Sequence, residues 1–584
     1  MLELLSRYSR EHGLDAVPGF SRKTVRWAIH VAPDGRFLGI LELGHAGTKG
    51  NRGIQFPKCP DLTQPEIKRG GKGCRHFLAD NAEVVALHHP EVDGKLEAKH
   101  AYFKGLLADA AQAVPDLAGA SLCLEDPSTL EDIRQQLLTQ KVKPGDNITF
   151  AIHGFDPPFP VEWDSWHSWW QTFRQTLAKP PTQGKGQGPT LRRCLVSGEL
   201  VQPALTHQKI KGLSDVGGLT QGDVLAPFKQ ASFRSYGLVQ AENAPVSEAK
   251  VSEYRSALNH LIAETGRRLG NVKVVHWFKE RVPPEGNPLA AMFDGLAWDE
   301  SAREAAAQSS ARELLESIYT GESWNLGGNR FYALTLSGAS GRVMIRDWME
   351  GSFEELVGAL THWFDSLEIV RRDGQALAKM PKFMAVLGGL VRDLDDLPAP
   401  VITTLWRVAL LRLPIPRQLM AMAYQRVKVD AIQDETPRHA RLGLLKAYHV
   451  RNGDNHMKPH LNEEHPDPAY HCGRLLAVLA AVQYSALGDV GAGIVQRYYA
   501  AASATPALVL GRLVRTSQFH LEKLSGGLKH WYEDKIASIM VRIDGDFPQI
   551  LQLDQQSLFA LGYYQQLASD RNRNKSTENT SEEN

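Results

Sequence analysis

The sequence contains 584 residues. Because this is too many for a single hydrophobic core, we expect two to four domains. Its 66 basic and 66 acidic residues cancel, which excludes a protein that attracts anions through its overall charge and leaves only local clusters for that role. With 43% hydrophobic and 23% charged residues, it has the composition of an ordinary folded protein, and its apolar runs are too short for a membrane span.

The cysteines narrow the classes of protein further. There are five of them, and no two form a Cys-x-x-Cys pair, which argues against a zinc ribbon and suits a reducing compartment. The first residues lack the long apolar run of a signal peptide. We therefore expect a cytoplasmic protein with no membrane partner.

The first predicted element is a β-hairpin over residues 24–43. Two alternating, β-rich runs flank the turn sequence Pro33-Asp34-Gly35. A basic, glycine-containing loop follows to about residue 76, and residues 95–113 have the pattern of a helix. This part of the chain therefore predicts mixed strands and helices.

An aromatic stripe marks the next predicted helix, residues 162–178. Its members recur at three- and four-residue spacing and are Trp163, Trp166, Trp170, Phe173 and Leu177. Such a stripe resembles a platform for stacking bases, but helical periodicity is also what burial against a core requires. We interpret the stripe as core.

Further along, residues 194–213 and 331–351 each predict a pair of strands, the second around a Gly-Ala-Ser-Gly turn. From about residue 353 the pattern becomes helical, with predicted helices at 470–487, 491–502, 507–524 and 531–543. We therefore expect an α+β protein with a mixed α/β N-terminal half that contains β-hairpins, and an all-α helical bundle at the C-terminus. The predicted domains are an α/β region with basic loops (1–352), a helical connecting region (353–456), a C-terminal bundle (457–569) and a disordered tail (570–584).

A search for catalytic motifs finds no phosphate-binding glycine loop, zinc-protease helix or nucleophile elbow. The strongest metal-like cluster contains His153, Asp164 and His167, of which the last two are three residues apart. These residues leave a metal-dependent nuclease open as an alternative, although they also fit the polar flank of the aromatic helix. We expect no enzyme activity, no metal and no cofactor.

Positive charge gathers in two windows. Residues 44–78 contain two acidic and seven basic residues, namely Lys49, Arg52, Lys58, Lys68, Arg69, Lys72 and Arg75. Residues 179–211 contain one acidic and six basic residues, including Arg192, Arg193, Lys209 and Lys211. Each window would attract a polyanion, and the glycines between the bases would let backbone N–H groups approach phosphates. A solvated surface loop, balanced by distant acids, is the other interpretation.

Four stretches of sequence then resemble a known family. They are KRGGKGCRHFLADNAEVVAL (68–87), CLVSGELVQPALTHQKIKGL (194–213) with ASFRSYG after it, NRFYALTLSGASGRVMIRDW (329–348), and AYHCGRLLAVLAAVQ (469–483) with LFALGYYQQ after it. In this order they are similar to the signatures of the large subunit of type I-C CRISPR Cascade complexes. Val84 stands where the family has a tyrosine, and Ala339 where it has an asparagine.

The resemblance implies a function without catalysis. A large subunit of this kind recognises a short flanking motif in double-stranded target DNA (the protospacer-adjacent motif), supports R-loop opening and recruits a separate helicase–nuclease for antiviral defence. The implied partners are CRISPR RNA, target DNA, the Cascade backbone and handle-binding subunits, a small subunit made from the C-terminal fragment, and the helicase–nuclease. A purely structural scaffold without motif recognition stays open as an alternative.

The resemblance also suggests where nucleic acid binds. The candidate residues for the flanking motif are Lys49, Asn51, Arg52, Lys58, Lys68, Arg69, Lys72 and Arg75. Those for the nucleic-acid backbone or a partner are Arg192, Arg193, Lys209, Lys211, Arg342 and Arg346. Those for the displaced strand are Arg497, Arg512, Arg515, Lys523 and Lys529. Met457, in a loop before a predicted helix, is the candidate internal start of the small subunit.

Overall fold

The computed structural model divides the chain into two compact units. The residues it describes are 1–14, 17–44, 53–71, 73–178, 191–204, 206–226, 238, 243–283, 286–293, 328–433 and 438–582. The first unit comprises Met1–Ser214, Gly218–Glu264 and Gly338–Val343, and the second comprises Asp215–Gly217, Thr265–Ser337 and Met344–Asn584. Among the described helices, none is long and apolar enough to cross a membrane.

Short strands run through the first unit. They are β1 (Phe20–Val25), β2 (Trp27–Val31), β3 (Phe37–Glu42), β4 (Ile54–Pro60), β5 (Asp80–Asn81), β6 (Asn147–Ile152), β7 (Arg192–Arg193) and β8 (Leu200–Val201). Strands β3, β2, β6 and β5 form a four-stranded sheet in that order, in which β2 and β6 are parallel. The pairs β1–β4 and β7–β8 form two further sheets, each of two strands.

The hairpin predicted over residues 24–43 is confirmed as β2 and β3. The two strands pair antiparallel, and the N–H of Ala32 donates to the carbonyl of Arg36 at 2.9 Å across the turn. Gly35 has a φ of 88°, which glycine adopts without the steric cost that other residues meet. Residues 24 and 25 belong instead to β1, which pairs with β4.

Eight described α-helices complete the first unit. They are α1 (Leu2–Glu11), α2 (Gln64–Arg69), α3 (Ala82–Ala86), α4 (Gly94–Ala113), α5 (Ala118–Glu125), α6 (Pro127–Thr139), α7 (His167–Ala178) and α8 (Glu248–Glu264). The core interpretation of the aromatic stripe is confirmed for Trp166 and Trp170, which are fully buried. Their indole N–H groups donate to the carbonyls of Pro160 and Gly19 at 2.8 and 2.7 Å. The helix starts later than predicted, at His167, because Pro160–Glu162 forms a separate 3-10 turn.

The second unit combines one sheet with a large helical region. Strands β9 (Arg267–Leu269), β10 (Val272–Phe278), β11 (Arg330–Ala339) and β12 (Arg342–Ser352) follow the order β12-β11-β10-β9, and all of their residues except 338, 339, 342 and 343 belong to this unit. Strands β11 and β12 are the strand pair predicted over 331–351. They are joined at Ser340 and Gly341, which both have positive φ, as a two-residue hairpin turn of this kind requires.

Helices fill the rest of the second unit. They are α9 (Ala290–Phe293), α10 (Phe353–Leu367), α11 (Phe383–Leu390), α12 (Ala399–Leu410), α13 (Arg417–Ile432), α14 (His439–Arg451), α15 (Pro468–Leu487), α16 (Ile494–Ala504), α17 (Pro506–Leu521), α18 (Gly526–Arg542) and α19 (Leu553–Glu582). Helix α10 begins with a capping box. Ser352 Oγ accepts the backbone N–H of Glu355, and the Glu355 carboxylate accepts the backbone N–H of Ser352 at 2.9 Å. The α+β prediction is confirmed, and the predicted domain boundaries stay predictions.

The fourth family-like stretch forms the contact between α15 and α19. Tyr470 donates its hydroxyl proton to Gln565, and Arg474 Nε donates to Gln566 Oε1 at 2.9 Å. Helix α19 then continues to Glu582, through residues 570–582 for which the sequence predicts a disordered tail. Once the buried turns of α19 are formed, each added residue extends the helix without a new nucleation step, so a polar sequence can follow.

Candidate nucleic-acid interface

A polar cavity of about 830 Å³ lies within the first unit. Its walls come from parts of the chain that are far apart in sequence: β1, the loop after β4, the loop before β5, the segment around Ile210, and α8. Six basic side chains line it, namely Arg22, Lys23, Arg75, Lys209, Lys211 and Arg255. Three acidic side chains line it too, namely Asp61, Asp80 and Glu264. The cavity therefore carries more positive than negative charge.

The segment Lys209–Lys211 presents two of these lysines. Ile210 between them is fully buried and exchanges two backbone hydrogen bonds of 2.8 Å with Asp223. In extended backbone, side chains alternate between opposite faces, so burying Ile210 turns Lys209 and Lys211 together toward the cavity. Gly212 ends the segment with a φ of 85°, at a point where a Cβ would lie 2.7 Å from Ile262. In the sequence Lys-Ile-Lys-Gly, the two lysines therefore line the cavity, the isoleucine anchors the segment in the core, and the glycine permits the turn that ends it.

Asp61 lies at the centre of the positive charge. One carboxylate oxygen lies 3.5 Å from Arg255 Nη1, and the other lies 3.7 Å from His76 Nδ1. Burial raises the pKa of Asp61, but the positive groups around it, including Lys23 and Arg255, outweigh burial and leave that pKa below its usual value. Asp61 is therefore ionised at neutral pH and balances only part of the surrounding charge.

His76 contributes no charge to this cluster at neutral pH. Its Nδ1 accepts the backbone N–H of Leu62 at 3.2 Å, and burial lowers its pKa to about 4, with Lys23 adding to that shift. The lasting positive charge around Asp61 therefore belongs to Lys23, Lys211 and Arg255.

Lys211 lines the cavity and is exposed to solvent. Desolvation by the cavity wall lowers its pKa, Asp61 opposes that shift, and the like charges of Lys23 and Arg255 add to it. The arrangement keeps like charges close to one another, which costs free energy unless an anion joins them. Such a site is suited to a phosphate.

Asp80 connects the first family-like stretch to the cavity. Its carboxylate accepts the backbone N–H groups of Asn81 at 2.8 Å and of His76 at 3.3 Å. Asp80 and Asn81 themselves form β5, which pairs with β6. Asp80 therefore holds the loop that carries Arg75 and His76 in place at the cavity wall.

The structure brings three of the predicted residues, Arg75, Lys209 and Lys211, to this one cavity although they come from the two separate basic windows. Other predicted residues have different contacts. Lys58 forms an ion pair of 3.6 Å with Asp164, and Arg69 donates to the carbonyl of Leu177 at 3.2 Å. Lys68 is exposed on α2. The remaining four candidates for the flanking motif, Lys49, Asn51, Arg52 and Lys72, lie outside the described residues.

The other candidates of the N-terminal half do not line the cavity. Arg193 donates to the carbonyl of Gly198 at 2.8 Å and so closes its own short hairpin, while the neighbouring Arg192 is half-buried. Arg342 begins β12, and Arg346 Nε donates to Ser337 Oγ on the neighbouring β11 at 2.8 Å. These contacts are structural, and they leave the predicted nucleic-acid role of the four arginines a prediction.

Two of the displaced-strand candidates form a larger surface stripe. Arg512 and Arg515 lie on α17, and Leu508 and Phe519 stand at helical spacing on the same exposed side, with side chains 77% and 72% exposed. We call these four residues the α17 stripe. Of the others, Arg497 and Lys523 are exposed, and Lys529 forms an ion pair of 2.7 Å with Glu522.

Sequence reasoning missed Lys23, Arg255 and Phe519. Arg255 carried a usable signal, because it interrupts the apolar face of α8 between Val251 and Leu258, where a charge needs a partner. Phe519 carried a weaker signal, because it is a large aromatic residue on the polar side of a helix. Lys23 carried none, since a lysine on a strand is ordinary.

The metal-like cluster does not assemble in the structure. His167 Nδ1 lies 3.1 Å from Asp164, whose side chain is 80% exposed and also pairs with Lys58. His153 instead lies beside His30, with 5.7 Å between the ring centroids. Within the described part of the chain, no three His, Cys, Asp or Glu residues are placed to hold a metal ion together.

Comparison with known protein families gives a match over nearly the whole chain. Residues 4–569 match the sequence profile of a family described as CRISPR-associated protein (Cas_Csd1). The match spans both units and every described strand and helix except the C-terminal part of α19 and the first residues of α1. None of the curated proteins matches the sequence.

Proposed function

Since this chain belongs to the CRISPR-associated Cas_Csd1 family, the large subunits of type I-C Cascade complexes, we propose that it recognises the flanking motif in double-stranded DNA. In an RNA-guided complex, base pairing with the guide reads the target, so the protein needs to read only this short motif and to help open the duplex beside it. The same proposal includes recruitment of the helicase–nuclease once the strands have separated.

One observation supports a nucleic-acid role more than any other: the convergence of Arg75, Lys209 and Lys211 with Lys23 and Arg255 at one cavity. The chain is neutral overall, so this excess of positive charge is local. Local positive charge attracts the phosphate backbone, displaces its counterions and makes affinity fall with salt. A scaffold that touches only protein would gain nothing from keeping these like charges together.

The direct contacts to the flanking motif are assigned to Lys49, Asn51, Arg52 and Lys72. This part of the proposal rests on the sequence, in which lysine and arginine would hold phosphates and Asn51 or Arg52 would reach base edges in a groove. Lys58, Lys68 and Arg69 belong to the same basic region and would add phosphate contacts.

The test compares duplexes in the assembled complex. Replacing Lys49, Asn51, Arg52 and Lys72 with alanine is expected to abolish the preference for a cognate over a scrambled flanking motif, measured by gel shift across a salt series. The Lys95→Ala variant removes an exposed lysine from α4 and is expected to leave the preference intact. If the fourfold variant still discriminates the motif as the natural protein does, the assignment is wrong.

We also propose that the subunit is not itself a nuclease. The purified chain, incubated with DNA and Mg²⁺ or Mn²⁺, is expected to leave the DNA intact. Cleavage that disappears in the Asp164→Ala variant would favour the metal-dependent alternative instead.

The C-terminal fragment is proposed to exist also as a separate small subunit that begins at Met457. Met457 lies in the loop before α15 and is 6% exposed, packed into the core of the second unit. The fragment would keep both α15 and α19, whose contact includes Tyr470 and Gln565. Mass spectrometry of the small subunit tests this directly, and an N-terminus elsewhere than Met457 would contradict it.

A further inference from the structure

We infer that the cavity of the first unit binds one unpaired nucleotide of a nucleic-acid strand, with its phosphate held by Lys23, Lys211 and Arg255. The inference rests on the proposed function and adds to it a site distinct from the contacts to the flanking duplex. The observations that carry it are the size of the cavity, its unbalanced charge and buried polar groups without a described partner, among them those of Arg255 and Gln208.

Size separates a nucleotide from a duplex. A volume of about 830 Å³ falls within the range of about 300–1,000 Å³ that holds a small organic molecule. Double-stranded DNA, whose major groove alone is about 12 Å wide, is too large to enter such a space. Only a base and sugar taken out of the stack would fit, as happens when a strand is unpaired.

Charge indicates where the phosphate would lie. Arg255 forms an ion pair with Asp61, with 3.5 Å between its Nη1 and a carboxylate oxygen. Lys23 donates a hydrogen bond to the backbone carbonyl of Ala79 at 3.1 Å. Across the described residues, neither Lys23 nor Lys211 forms an ion pair with a carboxylate. A phosphate between these cations would supply the negative charge that Asp61 alone does not, and its hydrogen bonds to them would be charge-assisted.

Two buried atoms indicate further contacts to the ligand. Arg255 and Gln208 both line the cavity and are 7% and 9% exposed. Arg255 Nε and Gln208 Oε1 have no hydrogen-bond partner in the described part of the chain. Buried polar groups are nearly always paired, so these two are available to a ligand that enters the cavity. Arg255 Nε suits a phosphate oxygen, whereas the Gln208 amide suits the edge of a base.

The other walls support recognition by hydrogen bonds. Asn81 and Gln221 also line the cavity and add amide groups, while phenylalanine, tyrosine and tryptophan are absent from its described lining. Stacking on these large rings, the usual means of binding a single strand without sequence preference, is therefore not available, and the rings in the described lining are the imidazoles of His76, His207 and His260. A base held by amide groups would be distinguished by its edge.

The experiment measures binding of short single strands to the full-length chain. Fluorescein-labelled hexanucleotides of DNA and of RNA are titrated by anisotropy into the natural protein, Lys23→Ala, Lys211→Ala and the double variant. We expect each single change to weaken binding by at least about tenfold, as loss of a hydrogen bond between charged groups would. Lys95→Ala, which removes an exposed lysine from α4, is the control and is expected to bind as the natural protein does. Equal binding by the double variant and the natural protein would overturn the inference.

Competition separates a nucleotide site from a general anion site. A nucleoside 5′-monophosphate is expected to displace the hexanucleotide at a concentration at least about tenfold lower than inorganic phosphate does, because base contacts add to the phosphate contacts. Equal competition by the two would show that only an anion is bound and would overturn the inference. The Gln208→Ala variant is expected to reduce this advantage of the nucleotide and leave competition by phosphate unchanged.

The two sugar types identify the strand that the site serves. Tighter binding of RNA would assign the site to the guide, since the 2′-hydroxyl is then read, and tighter binding of DNA would assign it to the opened target. The motif preference of the assembled complex is measured in parallel. Loss of single-strand binding with that preference retained supports this site whether or not the loop assignment above is correct.

Discussion

A Cβ atom placed on Gly473 would lie 1.9 Å from the carbonyl oxygen of Phe559, on the facing helix. The relationship is reciprocal, since a Cβ on Gly562 would lie 2.0 Å from the carbonyl of Tyr470. Helices α15 and α19 therefore meet backbone against backbone. Neither contact can relax by moving the end of a flexible side chain.

The first prediction concerns this helix contact. Gly473→Ala is expected to destabilise the protein by about 1–3 kcal/mol, the usual cost of forcing extra atoms into a packed core. Thermal unfolding measures the loss. Gly358→Ala in α10 is the matched control, because a Cβ there meets nothing within 4 Å and alanine is the better helix former. If the two variants unfold at the same temperature, α15 and α19 are not packed as closely as described.

The second prediction concerns acid stability. Burial lowers the pKa of His449 to about 4, against the opposing effect of Asp454 and Asp554, and its Nε2 lies 2.6 Å from Ser557 Oγ. Below pH 6.5 the unfolded chain binds a proton at this position and the folded chain does not until about pH 4. Stability is therefore expected to fall as the pH falls from 6.5 to about 4, by about 3 kcal/mol for this group alone.

His449→Gln tests this through the slope of stability against pH. The variant is expected to unfold more easily at neutral pH and to lose less stability between pH 6.5 and 4 than the natural protein does. His530→Gln is the control, since its side chain is 77% exposed. Parallel pH profiles for His449→Gln and the natural protein would contradict the prediction.

The third prediction concerns Asp80 as a positioning residue. Asp80→Asn weakens the acceptor that holds the N–H groups of His76 and Asn81, at a cost of about 1–3 kcal/mol in stability. The loop with Arg75 would then move, so binding of single-stranded hexanucleotides is expected to weaken severalfold under conditions where the protein stays folded. Asp132→Asn, an exposed change of the same charge on α6, controls for charge alone. Unchanged binding by a folded Asp80→Asn protein would remove the positioning role.

The fourth prediction concerns the α17 stripe, whose exposed Phe519 lies in line with Arg512 and Arg515. If the stripe follows the displaced strand, Phe519→Ala should cost about 1–3 kcal/mol in binding of long single-stranded DNA, through the lost stacking on a base. Replacing Arg512 and Arg515 with alanine should instead lower the salt dependence of binding, by about 0.7 in the logarithmic slope for each phosphate released. Gln518→Ala, exposed on the same helix, is the control. Equal affinities for Phe519→Ala and Gln518→Ala would argue against a stacking role.

The sequence by itself determined several elements of this protein and its family, whereas the strand pair expected over residues 194–213 forms only as the short strands Arg192–Arg193 and Leu200–Val201. The Pro33-Asp34-Gly35 turn, the Gly-Ala-Ser-Gly turn and the helical spacing after residue 353 are local patterns, and each appears in the structure as the element it predicts. Burial of the Trp166 and Trp170 side chains was also predictable, because periodicity records which side of a helix faces the core. The family-like stretches agree with the match over residues 4–569.

Only the tertiary structure decided which charges share a site. Arg75 and Lys211 belong to separate basic windows, and nothing in their sequence spacing relates them to Lys23 or to Arg255. They meet because the sheet and α8 bring their segments together, and such long-range packing leaves no periodic trace in the sequence. The fold also decides that Lys58 has a different partner. Long-range packing places Asp164 beside Lys58, and the two form an ion pair.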